Sequence, residues 1–366
     1  MTIAATAAIL RTRGGPYAVE PVALAEPGPG QVLVRVRACG ICFTDVGVQH
    51  YEQGTPLPQV LGHEGAGEVL ALGPGVTELA VGDAVVLSYA SCGQCGNCSH
   101  DHPQYCSNFM GLNYAGMLSD GRVPMHQGET PVYGGFFGQS AFATHAIAYV
   151  RNTVKVPALD WHVLAPFGCG MQTGAGTAYN TLDVQPGHSF AVLGAGSVGL
   201  AALMAAVDRG CHTVIAVDKV PERLALAREL GATHTILAGE GPLMEALRGI
   251  IATGVDRIVD TTGASPVIRA GLEALASRGE LAMLAVTKPG TEITFNPNTL
   301  LGGRSLKGAV EGDADPQAFI PWLVSRHQAG RFPHDRLVRT YPLAAINQAM
   351  ADMAAGLVVK PVLLMD

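Results

Sequence analysis

The chain has 366 residues, with 23 Lys plus Arg against 30 Asp plus Glu, a formal charge of −7 and a charged fraction of 14%, well under the usual value of about a quarter. That length suits about two domains with full hydrophobic cores, and the sparse, acidic charge excludes a nucleic-acid or anionic-membrane partner. The mean hydropathy of +0.26 is not a membrane signal, because no stretch approaches the roughly 18 consecutive apolar residues of a spanning helix.

In chain order, residues 2–10 form an apolar run with no basic residue before it, which predicts the first strand of a cytoplasmic protein rather than a secretion signal. Residues 31–38, Gln-Val-Leu-Val-Arg-Val-Arg-Ala, alternate with period two and predict a half-buried antiparallel strand. Strands are expected at 67–72 and 83–88, separated by turns such as Gly73-Pro74-Gly75, so the first 150 residues read as mostly β with long loops. From Ser189 the pattern changes to α/β. Apolar runs at 190–193, 213–217, 257–260 and 280–286 alternate with helical stretches to Arg209 and at 221–230, 242–252 and 265–277, which predicts a parallel sheet built from βαβ units. The tail predicts helices at 317–328 and 343–355 and a closing strand at 357–365.

Gly194-Ala195-Gly196-Ser197-Val198-Gly199 follows a predicted strand and opens a predicted helix, the context in which GxGxxG binds a dinucleotide. The first glycine makes the turn, the second admits a pyrophosphate, and the third lets helix and strand pack. Asp218, 24 residues after Gly194, is placed to bind both adenosine ribose hydroxyls and to repel a 2′-phosphate, favouring NAD. Arg223, five residues on, softens that preference.

In a reducing compartment, the eight cysteines are read first as metal ligands, catalytic groups or small buried side chains. Cys92, Cys95, Cys98 and Cys106 give C-x2-C-x2-C-x7-C, the spacing of a closed structural zinc site. A ferredoxin cluster begins in the same way but continues with three residues and Cys-Pro, whereas seven intervene here and Ser107 follows Cys106. His100 and His102 are expected in solvated loop, and Cys39 and Cys211 as small buried side chains.

Three further fragments, Gly40-Ile41-Cys42-Phe43-Thr44-Asp45, Gly62-His63-Glu64-Gly65-Ala66-Gly67 and Gly168-Cys169-Gly170-Met171-Gln172-Thr173-Gly174, are each weak alone. Together with the four-cysteine lobe and the glycine loop, in this order, they resemble the zinc-dependent alcohol dehydrogenases of the medium-chain dehydrogenase/reductase family over essentially the whole chain. The resemblance implies a Rossmann doubly wound parallel sheet at 171–309. A mostly-β GroES-like catalytic domain is implied at 1–170, with a zinc lobe at about 88–110, resumed at 310–366. It implies two zinc ions per chain, NAD as cofactor, a small alcohol or aldehyde as substrate, and a homodimer or homotetramer. Cys42, His63 and Cys169 are implied as catalytic zinc ligands, a donor set already on record for alcohol dehydrogenase. Asp45 is implied as the carboxylate orienting His63, Glu64 as a group behind the zinc or a buried ion-pair partner, and Thr44 as the hydroxyl that takes the alcohol proton.

Two positions depart from the family pattern. Gly47 stands where the proton relay ends on a histidine, leaving water or His50 as the exit, and neutral Phe43 stands where many members place a base on the pyrophosphate. Lys360 matches another phosphate-binding position and is expected to carry more of that charge. Ser88, Phe136, Phe137, Val286 and Val310 match channel-lining positions, with small Ser88 beside the zinc and the two rings further out. With the phrase Gly170-Met171-Gln172-Thr173-Gly174-Ala175-Gly176, these resemble the aryl and allylic alcohol dehydrogenases most. The alternatives are a glutathione-dependent formaldehyde dehydrogenase and a non-catalytic dinucleotide-binding relative.

Overall fold

The structure is a computed structural model that describes residues 2–51, 56–287 and 290–365. It divides into one compact unit of residues 1–169, 315–325 and 334–366 and a second of residues 170–314 and 326–333.

The first unit is built on two sheets. One runs, edge to edge, through Gln59–Val60, Thr2–Leu10, Tyr17–Ala25, Met125–Gln127 and Thr130–Val132. Its central hairpin pairs Ile3 with Leu24 and Ile9 with Ala18, so the apolar N-terminal run is a strand as expected. The second sheet runs through Thr153–Lys155, Ala84–Leu87, Glu64–Leu72, Gln31–Gly40, Lys360–Leu364 and Val338–Pro342, with His145–Tyr149 also on Gln31–Gly40. The strand expected to be half-buried is nearly all interior: neighbours flank both its edges, and only Arg35 among its residues is exposed. The closing strand lies in the same sheet as Gln31–Gly40, so the last residues complete the first unit's core.

In the second unit, the parallel strands His234–Leu237, Thr213–Asp218, Ser189–Leu193, Val255–Asp260, Leu275–Met283 and Ser305–Gly308 lie in that spatial order. Numbered along the chain this is 3-2-1-4-5-6, the doubly wound dinucleotide-binding arrangement. Val192 pairs with Ala216 and Val259, and the segments 190–193 and 214–217 are buried, continuous apolar runs, as parallel strands covered on both faces must be. The structure differs from sequence expectation where local signals are weak. The strand expected at 280–286 begins at Leu275 and ends at Met283, because the chain passes from helix Ser265–Ala274 directly into extended backbone with a left-handed residue at Arg278. The short, partly polar strands His234–Leu237, Ser305–Gly308 and Val338–Pro342 carry too little periodicity to be seen. Among the described residues, no helix is long and apolar enough to cross a membrane.

Candidate zinc and dinucleotide sites

Cys42 caps helix Phe43–His50, and Asp45, in its first turn, returns a carboxylate oxygen to the Cys42 backbone N–H at 2.9 Å. The other Asp45 oxygen accepts from the Gly62 N–H at 3.1 Å and lies 3.0 Å from His63 Nδ1. One fully buried carboxylate therefore ties together the two segments carrying Cys42 and His63 and turns His63 Nε2 inward. Cys169 joins them at the end of the turn Ala165–Gly168, where Gly168 is held tightly: Ser88 Oγ donates to its carbonyl at 2.7 Å. The ligand atoms of Cys42, His63, Glu64 and Cys169 all lie within 4.8 Å of one another.

The chemistry of this cluster fits zinc. His63 is fully buried, and its Nε2 has no hydrogen-bond partner among the described residues, an arrangement that costs stability unless a ligand fills it. Hydrogen bonding with Cys169, helped by the charge of His63, holds the Cys42 thiol well below its ordinary pKa despite burial. Burial lowers the His63 pKa, but Asp45, by charge and hydrogen bond, and Cys42 raise it well above the ordinary value. The cluster thus stabilises thiolate and draws positive charge to the histidine, the electrostatic demand that a divalent cation between two sulfurs and an imidazole meets.

The four-cysteine lobe makes a second cluster, with its sulfur atoms also within 4.8 Å of one another. Cys92 and Cys98 sulfurs are 3.9 Å apart, and those of Cys95 and Cys98 3.4 Å, close to the ~3.8 Å that tetrahedral Zn–S bonds impose. Backbone N–H groups of Cys92, Cys95 and Ser107 donate to the sulfurs of Cys106, Cys92 and Cys95 at 3.3–3.4 Å. Ser107 lowers the Cys95 thiol to about 5, whereas burial and neighbouring thiols push Cys98 up to about 12. Four thiols cannot all ionise together without a cation. His100 and His102 are exposed and outside the cluster, as expected.

Glu64 is an ion-pair partner. It is fully buried against the Lys360 ammonium, which also donates to the Ile41 carbonyl at 3.1 Å. Gly40 is required beside them, since a Cβ there would run into Glu64 Oε2. The Lys360 ammonium, expected on the cofactor phosphates, is 1% exposed and paired with Glu64 inside the first unit. The two aromatic rings lie close to the cluster. Phe136 and Phe137, expected along the alcohol channel, are 0% and 3% exposed and packed on His63 with centroids 5.6 and 4.6 Å away. Ser88 is fully buried, while Val286 and Val310, in the second unit, are exposed. His50 is exposed at the helix end, and six residues place it about 120° around the helix from Thr44, so it is not on the Thr44 face. Thr44 Oγ1 lies 3.7 Å from Cys42 Sγ.

In the second unit, the three loop glycines have three separate reasons. Gly194 has φ +98° and no room for a Cβ beside Thr261, Gly199 packs against the Gly194 carbonyl, and Gly196 faces open space, where a Cβ would meet nothing within 4 Å. Gly196 also caps helix Ser197–Asp208, with Ser197 and Val198 half-buried in its first turn. An open helix N-terminus of this kind accepts phosphate. Asp218 ends its strand 7% exposed, accepting from Ala195 N–H at 2.7 Å and Val220 N–H at 2.9 Å. It therefore shapes the loop as well as offering its remaining lone pairs. Arg223 Nη1 stands 3.9 Å from it.

Sequence reasoning missed Gln139. Fully buried, it donates from Nε2 to the His63 and Ser88 carbonyls at 2.9 and 3.0 Å and accepts from the Gly65 N–H at 3.0 Å. A glutamine 76 residues from its partner carries no spacing signal.

Comparison with known proteins identifies the family. Residues 28–158 match the family described as alcohol dehydrogenase GroES-like domain, and residues 197–325 the family described as zinc-binding dehydrogenase. A geraniol dehydrogenase from Castellaniella defragrans is 44% identical, over 99% of this chain and 98% of that protein. The crystal structure of benzyl alcohol dehydrogenase from Acinetobacter calcoaceticus superposes with a TM-score of 0.96 at 42% identity, covering 100% of both chains. An S-(hydroxymethyl)glutathione dehydrogenase from Escherichia coli is more distant, at 32% identity over 98% of both chains. The chain belongs to the zinc-dependent alcohol dehydrogenases of the medium-chain dehydrogenase/reductase family, with a GroES-like domain and a Rossmann-type domain.

Proposed function

We propose that the protein catalyses the reversible, NAD-linked oxidation of primary aryl or allylic alcohols to aldehydes. The observation that carries the reaction is the convergence of Cys42, His63 and Cys169 on one point, with a buried, unpartnered His63 Nε2 facing it. A zinc ion held there supplies Lewis acidity toward an alcohol oxygen, and a dinucleotide on the 194–199 loop supplies the hydride acceptor. The chain's own residues do the rest. Cys42 and Cys169 contribute two thiolate charges, Asp45 fixes the His63 ring, and Thr44 accepts the proton released by the alcohol. Gly47 has no side chain to receive that proton and His50 is off the Thr44 face, so it leaves through water. Asp218 favours NAD over NADP by repelling a 2′-phosphate, with Arg223 moderating it. Cys92, Cys95, Cys98 and Cys106 hold the second, structural zinc. Residues 1–170 and 310–366 form the catalytic domain, residues 171–309 the nucleotide-binding domain, and the protein works in the cytoplasm as a homodimer or homotetramer.

The substrate class rests on two relatives. The one that acts on geraniol uses an allylic alcohol, the one that acts on benzyl alcohol an aryl one, and both are more similar than the glutathione-linked relative. A panel of alcohols assayed with NAD tests it: kcat/KM is expected to be higher for benzyl alcohol or geraniol than for ethanol, and the reverse order would contradict the reading. Formaldehyde oxidation that appears only with glutathione would favour the formaldehyde dehydrogenase branch instead.

A further inference from the structure

We infer that the buried turn 136–140 is a positioning device for His63, with Gln139 as its clamp and Phe137 as its stop. The inference rests on the reading of His63 as a zinc ligand and goes beyond it by assigning what keeps the ligand in place.

The backbone of this turn is strained. Phe137 and Ser140 both have positive φ, +50° and +51°, and Gly138 between them has φ +63°. Non-glycine residues in the left-handed region persist where surrounding contacts over-determine them, and they concentrate at functional sites. Here the surrounding contacts are hydrogen bonds from two buried side chains. Ser140 Oγ accepts from the Phe136 N–H at 2.9 Å and donates to the Val60 carbonyl at 2.8 Å. Asn152 donates toward the Phe137, Gly138 and Ser88 carbonyls at 3.2–3.3 Å.

The strained conformation presents three groups to one histidine. The Phe137 ring lies against the imidazole at a 31° tilt, Phe136 meets it edge-on at 86°, and the Gln139 amide holds its backbone carbonyl. With Asp45 on Nδ1, His63 is restrained at one ring nitrogen, on two sides of its ring and at its backbone carbonyl, and its Nε2 has no hydrogen-bond partner among the described residues. Gln139 spans further. Its second carbonyl partner is Ser88, whose hydroxyl bonds the Gly168 carbonyl next to Cys169. One amide therefore joins the segment carrying His63 to the segment that abuts Cys169. The aromatic contacts continue from Phe137 to Tyr114 at 5.3 Å and Phe109 at 6.2 Å, the two ends of the helix that follows the four-cysteine lobe. The ring packed on the histidine thereby also packs on the helix that follows the lobe.

Gln139→Met keeps the side chain's length and apolar bulk and removes its three hydrogen bonds. The measurement is loss of the more labile of the two zinc ions to a chelator, followed with kcat and KM on the holoenzyme. The variant is expected to release that ion at least ten-fold faster, to lower kcat several-fold with little change in KM, and to keep the four-cysteine zinc. Gln139→Asn, which retains the amide on a shorter arm, is expected to fall between. Phe137→Leu gives an independent reading if Gln139→Met does not fold, and it too should release the labile ion faster. Wild-type release rates and kcat in Gln139→Met, or in Phe137→Leu where that variant is used, would overturn the inference. His63→Ala is the control: it should bind one zinc ion, and binding of two would overturn the ligand assignment along with the clamp.

Discussion

Lys360 and Glu64 place a charge pair in the core of the first unit, at 1% and 0% side-chain exposure. Removing one member of such a pair strands the other in low dielectric and costs about 3–5 kcal/mol. Lys360→Met is therefore expected to destabilise the protein by about that amount in urea unfolding, with NADH affinity changed only as far as folding is. Unchanged stability with weakened NADH binding would return Lys360 to the phosphates. Phe43 is the opposite case, 59% exposed in the first helical turn after Cys42. With no charge at this position, NADH should dissociate quickly, and Phe43→Arg should slow it several-fold in stopped-flow fluorescence. An unchanged rate would remove Phe43 from the cofactor account.

At the scale of elements, the glycine loop and the cysteine lobe are each specified within a few residues of chain, and for that reason both were legible. Gly194, Gly196 and Gly199 announce a strand–turn–helix whose steric reasons all appear in the structure, and the four cysteines sit on a single loop whose N–H···S bonds are local. Gly199→Ala would push a Cβ into the Gly194 carbonyl and is expected to weaken NADH binding at least ten-fold by titration while leaving the zinc content unchanged. What sequence did not disclose depends on contacts across the chain. The Lys360–Glu64 pair bridges almost 300 residues, the Gln139 clamp is a single polar residue among apolar ones, and nothing in the sequence around Phe136 and Phe137 announces their packing against His63. The strand His234–Leu237 was missed because its residues have neither alternation nor an unbroken apolar run.

At the scale of the molecule, residues 326–333 join the second unit although 315–325 and 334–366 belong to the first. Asp208, at the end of helix Ser197–Asp208, supplies the reason: its carboxylate receives Arg326 Nε at 2.9 Å, Arg331 and the Tyr179 hydroxyl. Burial raises its pKa, but Arg326 and Tyr179 outweigh this and hold it below the ordinary 3.8. A depressed folded-state pKa gives stability that is fully present above 3.8 and lost as pH falls below it. Asp208→Asn is expected to cost about 2 kcal/mol at neutral pH and to converge on wild type below pH 4; a difference independent of pH down to 3 would contradict the assignment. The most direct test of the whole account is elemental analysis of wild type and Cys42→Ala alongside NAD reduction with benzyl alcohol. Two zinc ions per chain should fall to one, with activity lost by at least three orders of magnitude while the fold is kept; a Cys42→Ala protein that retains two zinc ions, or oxidises benzyl alcohol at the wild-type rate, would contradict it.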